Sequence, residues 1–273
     1  MKNLFDSHAH YWDEKLRGQA DTTLTAFFRD GGAGVINIGT SPETSRTAAE
    51  QAKGYPKMYT ALGIHPTDAA ALTVSPKEAV AEIRSLLLDP ANRAVAVGEI
   101  GLDYYWEPYD RELQKDYFAR QMELAGELGL PVVVHDREAH GDSFEMACRY
   151  PGVIGVFHSY SGSAEMALDL IRRGWYISFS GTLTFKNAHR VREVAAVLPH
   201  DRVLIETDAP YLTPHPYRGA CNHSGYLIYT CTALAEVWGI SPEEAANVTY
   251  ANACRLFRLP CRTDGVSSPE RTA

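Results

Sequence analysis

Short apolar runs alternate along the chain with longer amphipathic stretches. Several runs, such as AVAVGEI and PVVVHD, are continuously apolar, which is typical of parallel strands buried on both faces. The pattern predicts eight strands, at residues 4–7, 35–39, 58–63, 94–99, 132–135, 153–157, 175–179 and 203–206.

The stretches between these runs carry the signals that begin and end helices. The segments SPKE at 75–78 and SPEE at 241–244 each offer a serine N-cap, a proline in the first turn and a glutamate three residues after the cap. Gly129 and Gly174 stand where a helix should end before the next strand. Residues 110–128 have the length and apolar spacing of one long amphipathic helix.

Eight strands alternating with helices predict an α/β fold, a (β/α)8 TIM barrel in a single domain. An open, doubly wound sheet is the alternative for the same alternation. No linker or shift in composition divides the chain, so we expect residues 1–261 to form the barrel and residues 262–273 a polar C-terminal tail.

Composition narrows the classes of function. The formal net charge of -8 argues against broad electrostatic binding along a nucleic acid. It leaves room for a local phosphate site, because bound divalent cations would reverse the sign of the local charge. The five cysteines form no C-x-x-C pair, and neither a secretory signal nor a membrane span is evident. We therefore expect a cytoplasmic protein with free thiols, no membrane association and no obligate protein partner.

Residues suited to metal binding follow the predicted strands, at the end where such barrels carry their catalytic sites. His8 and His10 lie two residues apart on an extended segment, so both side chains face the same side. Each candidate alone is explained equally well as a hydrogen-bonding side chain or a helix cap. Their joint placement, with His65 and Asp103 also at strand ends, favours a metal site whose ligands are His8, His10, Glu99, His135, His158 and Asp208.

The other five histidines fall in predicted helices or loops, where we expect structural or surface roles; they are His140, His189, His200, His215 and His223. The candidate ligands are imidazoles and carboxylates without a thiolate. Such a set suits zinc, manganese, iron or nickel at least as well as magnesium, so the sequence does not choose the metal.

Several motifs together resemble the TatD family of metal-dependent deoxyribonucleases. They are His8-x-His10, Gly-Ile-His65-Pro, Gly-Glu99-Ile-Gly-Leu-Asp103-Tyr, the apolar strand ending in His135, Phe-His158-Ser-Tyr-Ser-Gly and Glu-Thr-Asp208-Ala-Pro-Tyr-Leu. The resemblance runs from residue 6 to about residue 257, in the family's order. It implies a TIM barrel of the amidohydrolase-like superfamily that binds divalent metals and acts on DNA ends, often as an exonuclease.

The resemblance also implies how the ligands are shared. One ion would be held by His8, His10, Glu99 and Asp208, and a second by Glu99, His135 and His158. Glu99 would bridge the two ions, and a water between them would attack phosphorus.

Roles for the remaining candidates follow from the same comparison. Asp208 would also act as general base, and Asp103 would orient the water or a ligand histidine. His65 would bind a phosphate oxygen or protonate the leaving group, with bracing of the loop before Pro66 as its alternative.

One segment departs from the family pattern. The family usually has Arg-Asn-Glu-Pro after an arginine–glycine pair, and in this chain Arg218, Gly219 and Asn222 match. His223 and Ser224 replace the usual Glu-Pro, which puts substrate preference in doubt. Arg218 and Asn222 are candidate substrate-binding residues, Arg218 as a phosphate clamp or else an exposed loop arginine. Four aromatic residues are candidates for stacking on unpaired bases: Tyr104, Tyr105, Trp106 and Tyr160.

Three functions remain open at this point. The first is a deoxyribonuclease that cleaves phosphodiester bonds at DNA ends. The second is a metal-dependent ester or amide hydrolase, such as an aminoacyl-tRNA deacylase, because a metal-activated water would attack either kind of bond. The third is a metal-bearing binding scaffold without turnover, which the complete ligand set disfavours.

Overall fold

The chain forms a (β/α)8 barrel, as predicted. The structure is a computed structural model that describes residues 1–260. Eight parallel strands pair in sequence order, from β1 to β8. The strands are β1 (Leu4–Ala9), β2 (Gly32–Ile38), β3 (Met58–Leu62), β4 (Ala94–Asp103), β5 (Val132–Arg137), β6 (Gly155–Phe157), β7 (Tyr176–Phe179) and β8 (Val203–Ile205). The predicted tail at 262–273 lies outside the described residues.

Helices connect the strands and surround them. The α-helices are α1 (Glu14–Arg17), α2 (Ala20–Arg29), α3 (Pro42–Lys53), α4 (Pro66–Ala69), α5 (Pro76–Leu88), α6 (Arg111–Leu128), α7 (His140–Arg149), α8 (Ala164–Arg172), α9 (His189–Val197), α10 (Leu227–Trp238) and α11 (Pro242–Phe257). Short 3-10 helices lie at Pro90–Asn92, Gly181–Thr184, His200–Arg202 and Ser224–Tyr226. No helix within residues 1–260 is long and apolar enough to cross a membrane.

The helix signals read from the sequence are confirmed. Ser75 caps α5 in a reciprocal capping box with Glu78. Ser241 accepts a hydrogen bond from the backbone of Glu244 at the start of α11. Helix α6 ends at Gly129 with left-handed backbone, as the glycine there predicted.

Three strands run past their predicted C-terminal ends. Strand β4 continues from Glu99 to Asp103, and β1 and β5 each extend two residues beyond their predicted ends. The prediction was wrong because polar residues were taken to end the runs, whereas here they belong to the strands. The ladder between β4 and β5 shifts register between Val97 and Ile100, a bulge that lies beside Glu99.

The barrel interior is filled at the end opposite these polar residues. One apolar cluster combines inward-facing strand residues with the side chains of α11. Phe5 of β1 stacks on Tyr250 of α11, with ring centroids 6.2 Å apart. Helix α11 therefore covers the N-terminal end of the barrel, which leaves the C-terminal end of the strands open for a site.

Candidate metal centre

A cavity of about 470 Å³ opens at the C-terminal end of the barrel. Five of the six predicted ligands line it: His10, Glu99, His135, His158 and Asp208. The sixth, His8, is fully buried beneath them. His65 and Asp103 also line the cavity, so the structure brings together all eight residues that the strand-end pattern singled out.

The first group of donor atoms joins β1, β4 and the segment after β8. Nε2 of His8 lies 3.1 Å from Nε2 of His10 and 3.2 Å from Oε2 of Glu99. Oδ1 of Asp208 lies 3.6 Å from Nε2 of His8 and 3.5 Å from Nε2 of His10. Asp208 has left-handed backbone, with φ 58°, a strained conformation of the kind that clusters at functional sites. The donor atoms of His8, His10 and Glu99 thus lie within 4.8 Å of one another, and Asp208 lies beside both histidines.

The second group uses the other oxygen of Glu99. Oε1 lies 2.8 Å from Nε2 of His158, 3.0 Å from Nδ1 of His135 and 3.5 Å from Nε2 of His65. The two oxygens of one buried carboxylate therefore face two different sets of imidazoles. That is the arrangement expected of a carboxylate between two cations.

In two of the imidazoles, those of His10 and His135, a hydrogen bond at the outer nitrogen makes the inner nitrogen available as a ligand. Nδ1 of His10 lies 3.0 Å from the carbonyl oxygen of Ile38, to which it donates. Nε2 of His135 lies 2.9 Å from Oδ2 of Asp103. When such a ring is neutral, the nitrogen that donates outward leaves the other nitrogen with its lone pair directed inward. Without metal, protons on the imidazoles hold them to Glu99, and divalent cations can replace these protons, so the donor set fits divalent metal ions.

Glu206 is a buried carboxylate of the site that the sequence reasoning missed. Its Oε1 lies 3.4 Å from Nδ1 of His158, an ion-pair distance without good hydrogen-bond geometry. It also accepts from the backbone of Ser159 at 2.6 Å and from the hydroxyl of Ser178 at 2.7 Å. Its place two residues before Asp208, in the motif Glu-Thr-Asp208-Ala-Pro-Tyr-Leu, was the available signal.

The charges of the site are strongly coupled. Burial alone would raise the pKa of Glu99, but His158 and His8 hold the pKa of this carboxyl well below its usual range. Burial also opposes protonation of His158, yet Glu99 and Glu206 hold the pKa of this imidazole well above its usual value. The pKa of His8 is lowered by burial and by the charge of His158. Glu99 is therefore ionised at neutral pH and can bind cations.

His65 differs from the other imidazoles in its hydrogen bonding. Its Nδ1 accepts from the backbone N–H of Thr67 at 3.2 Å and lies 2.7 Å from the hydroxyl of the same residue. A neutral ring that accepts at Nδ1 carries its proton on Nε2, the atom that faces the cavity. Burial and the nearby His135 lower the pKa of His65 to about 3, so the ring is neutral. His65 thus presents a donor to the cavity, not a lone pair.

Similarity to known proteins identifies the family of the chain. The family described as TatD related DNase matches residues 5–258. The chain belongs to this family. The uncharacterized metal-dependent hydrolase YabD of Bacillus subtilis is 37% identical over 258 residues, 94% of this chain and 99% of YabD. The uncharacterized metal-dependent hydrolase TatD of Mycobacterium tuberculosis is 37% identical over 269 residues, 94% of this chain and 98% of the relative.

A solved structure of a relative has the same fold as this chain. The crystal structure of YJJV, a TatD homologue from Escherichia coli, superposes with a TM-score of 0.88 at 28% identity. It covers 94% of this chain and 99% of its own. The TatD-type barrel therefore accounts for almost the whole chain, with no further domain among the residues described.

Two substrate-binding candidates of this TatD-family chain lie away from the cavity lining. The guanidinium of Arg218 lies over the ring of Phe185, 3.8 Å from its centroid. Asn222 is fully buried, and its side-chain amide donates to the carbonyl oxygens of Thr207 and Tyr211 at 2.8 and 2.6 Å. The geometry gives Asn222 a role in holding the loop after β8, and substrate contacts by either residue stay predictions.

The segment that departs from the TatD pattern also lies outside the cavity lining. His223 caps a 3-10 helix and packs on the ring of Tyr226, with centroids 4.0 Å apart. It lines a separate cavity of about 460 Å³ together with residues of α2. Ser224 is fully buried and hydrogen-bonded inside the barrel wall. The departure therefore changes the support of the site and leaves its lining residues unchanged.

The aromatic candidates divide by exposure. Tyr105 and Trp106, after β4, are exposed, Trp106 by 64% of its surface. Tyr104 bonds to Asp142 at 2.7 Å and is half-buried. Tyr160 is buried and its hydroxyl bonds to the backbone of Ser163, so its ring is not open to a base. Trp106 also lines the cavity, which leaves it as the best placed of the four.

Proposed function

We propose that the chain is a metal-dependent hydrolase that holds two divalent ions on either side of Glu99 and cleaves phosphodiester bonds at DNA ends, as an exonuclease. The observation that carries the proposal is the division of the two Glu99 oxygens between two sets of imidazoles. Support for the substrate comes from the family, described as TatD related DNase. Two relatives at 37% identity are described as metal-dependent hydrolases, which supports the reaction type.

Bound divalent cations would lower the pKa of a water and neutralise negative charge on phosphate oxygens. Asp208 then has two tasks, as ligand and as general base. Its pKa is lowered, since its hydrogen bond with His10 and the charge of His8 outweigh the effect of burial. It is therefore ionised at neutral pH and can accept a proton from the attacking water.

His65 would orient the substrate. Its Nε2–H faces the cavity 3.5 Å from Oε1 of Glu99, on the side of the second group of donor atoms. A neutral imidazole donor at that place suits a non-bridging phosphate oxygen. With its pKa near 3 in this structure, His65 is a poor source of a proton for the leaving group.

Exposed aromatic rings favour a substrate with unpaired bases. The exposed large aromatic residues within residues 1–260 all lie on two loops of the catalytic end, Tyr105 and Trp106 after β4 and Tyr211 and Tyr217 after β8. Stacking on such rings is worth about 1–3 kcal/mol per base. We therefore place the end of a single strand, not a duplex, across this rim.

An ester or amide substrate, such as an aminoacyl-tRNA, is the second candidate. Asp13 and Asp68 line the cavity beside the candidate ligands, and its described lining includes no lysine or arginine. An acidic mouth repels a phosphate diester more than it repels a carboxylic ester. The cations would have to offset this repulsion for DNA to bind.

The test compares two substrates on purified protein loaded with defined divalent metals. End-labelled single-stranded DNA and an aminoacyl ester are each given to the wild type, to Asp208→Asn and to the control Asp30→Asn. Asp30 is an exposed residue paired with Arg29 at 2.8 Å. We expect DNA cleavage that Asp208→Asn abolishes and Asp30→Asn keeps. Cleavage of the ester alone would replace the first candidate with the second, and equal DNA cleavage by Asp208→Asn would refute the mechanism.

A further inference from the structure

The barrel closes between β1 and β8 at a seam with few backbone contacts. Each pair of consecutive strands forms a ladder, but across β1 and β8 the described structure has one isolated bridge, Ala9 with Ala209. Beside it, the backbone of His10 donates to Ala209 at 2.7 Å and that of Asp208 donates to His8 at 2.9 Å. Three candidate metal ligands, His8, His10 and Asp208, belong to this seam. Their spacing therefore depends on how the seam is held.

A buried side chain supplies hydrogen bonds that join the two sides of this seam. Asp6 of β1 is fully buried. Its Oδ1 accepts from the backbone N–H of Thr207 at 2.9 Å, and its Oδ2 accepts from the hydroxyls of Thr207 at 2.6 Å and Ser224 at 2.7 Å. Thr207 directly precedes Asp208, and Asp6 lies two residues before His8. The carboxylate of Asp6 thus ties one ligand strand to the other.

Ser224 connects this carboxylate to a third element. Its hydroxyl accepts from the hydroxyl of Tyr11 at 2.8 Å, and its backbone N–H donates to the same tyrosine oxygen at 3.1 Å. Tyr11 follows His10 directly and is anchored to β2, because its backbone donates to Asn37 at 2.9 Å. Ser224 therefore bridges the residue next to His10 and the carboxylate that holds Thr207. The usual proline of the family at this position has neither a hydroxyl nor an N–H, so it could make none of these bonds.

We propose that Ser224 is a positioning residue: through Asp6 and Tyr11 it sets the spacing of His8 and His10 relative to Asp208. The proposal rests on the two-ion function proposed above. It assigns Ser224 to the first ion alone, because the second group, formed by Glu99, His135 and His158, belongs to β4, β5 and the end of β6, which are joined by ladders and not by the seam.

The test is a titration of the metal-free protein with Co²⁺, read by calorimetry and by the visible absorption of the bound ion. Ser224→Ala should raise the dissociation constant of one of the two ions about 10-fold, as is typical when support of a ligand is lost, and leave the other within about twofold. Ser224→Thr, which keeps the hydroxyl, should bind both ions with the dissociation constants of the wild type. Tyr11→Phe removes the two bonds between Tyr11 and Ser224 but keeps the bond from Ser224 to Asp6, so it should act in the same direction but less strongly.

Two further variants test whether the loss of affinity concerns the first ion and whether it is specific to Ser224. In a His135→Asn background, which disables the second group, the loss caused by Ser224→Ala should persist in full. Thr249→Val removes another buried hydroxyl, in α11, which bonds only within its own helix, and it should leave both constants unchanged.

The outcomes separate this proposal from the proposed function. Equal weakening of both ions, no weakening, or failure of Ser224→Thr to restore binding would overturn the positioning role, whatever the substrate. Two ions bound normally with no DNA cleavage would overturn the substrate and leave the role of Ser224 standing. A wild type that binds fewer than two Co²⁺ ions would overturn both.

Discussion

Replacement of Asp103 by asparagine should weaken metal binding through a change of histidine tautomer. Oδ1 of Asp103 accepts the backbone N–H groups of Tyr105 and Trp106 at 2.9 and 3.1 Å, and Oδ2 faces Nε2 of His135 at 2.9 Å. In Asp103→Asn the amide oxygen must stay with the two backbone donors. The amide nitrogen then lies against Nε2 of His135, which has to become an acceptor. The ring proton moves to Nδ1, the atom 3.0 Å from Glu99.

The expected loss follows from the number of ligands affected. One imidazole lone pair of the second ion is lost, while the first group keeps all of its donors. Loss of such a supporting carboxylate typically costs about 10- to 100-fold in metal affinity, equivalent to about 1.4–2.7 kcal/mol. The side chain is nearly fully buried and almost isosteric with the original, so folding should be little changed.

Two measurements check this reasoning. Competition with a chromophoric chelator gives the affinity of each ion, with the exposed Asp30→Asn as control. Nitrogen NMR of labelled histidine in the metal-free protein, at a pH high enough to leave the ring neutral, reports which ring nitrogen of His135 carries the proton. If Asp103→Asn binds the second ion within about twofold of the wild-type affinity, or if its His135 ring is still protonated on Nε2 alone, the argument is refuted.

Three further predictions concern pH, the backbone and the substrate. Burial opposes protonation of His10, His135 and His158, but neighbouring carboxylates hold their pKa values above the usual one. Protons therefore compete with metal ions for these ring nitrogens, so the metal affinity should fall as pH is lowered from about 8 to about 6. Calorimetry in buffers of different ionisation enthalpy should show proton release on binding, and an affinity independent of pH would contradict this. Gly101→Ala should lower the free energy of unfolding, measured with urea, by about 2–6 kcal/mol. The reason is that Gly101 has φ 137° and a Cβ there would clash with the carbonyl oxygen of His135. The control Gly126→Ala meets only Val153, at 3.4 Å, and should be tolerated; equal stability of both variants would disprove the strain argument. Trp106→Ala should raise KM for single-stranded DNA about 5- to 100-fold and leave cleavage of bis(p-nitrophenyl) phosphate nearly unchanged, and an equal effect on both substrates would exclude base stacking.

The positions of the polar residues determined the end of the barrel that carries the site. Once eight parallel strands are recognised, His8, Glu99, His135 and Asp208 must meet at one rim, because the carboxyl ends of parallel strands point the same way. The motifs added the division of ligands around Glu99, and the distances agree with it. The common rim follows from periodicity and chemistry along the chain, whereas the division of ligands around Glu99 came from the resemblance to the TatD family.

Contacts between residues far apart along the chain were beyond the sequence. Nothing in the local sequence shows that Ser224 bonds to Asp6, 218 residues away. Nor does it show that the side-chain amide of Asn222 donates to the carbonyl oxygen of Thr207. Glu206 was passed over for the same reason, since its partners His158 and Ser178 come from two other strands.

Strand ends, too, were decided in three dimensions. Apolar periodicity stopped β4 at Glu99, but the strand continues to Asp103 through a bulge and Gly101. Periodicity reports which side chains avoid water, and in this barrel the polar side chains at the strand ends are also buried, around the centre that they form. The sequence determined which residues could bind metal, whereas the closing of the barrel decided how each of them is oriented and held, because orientation depends on neighbours that only the folded chain supplies.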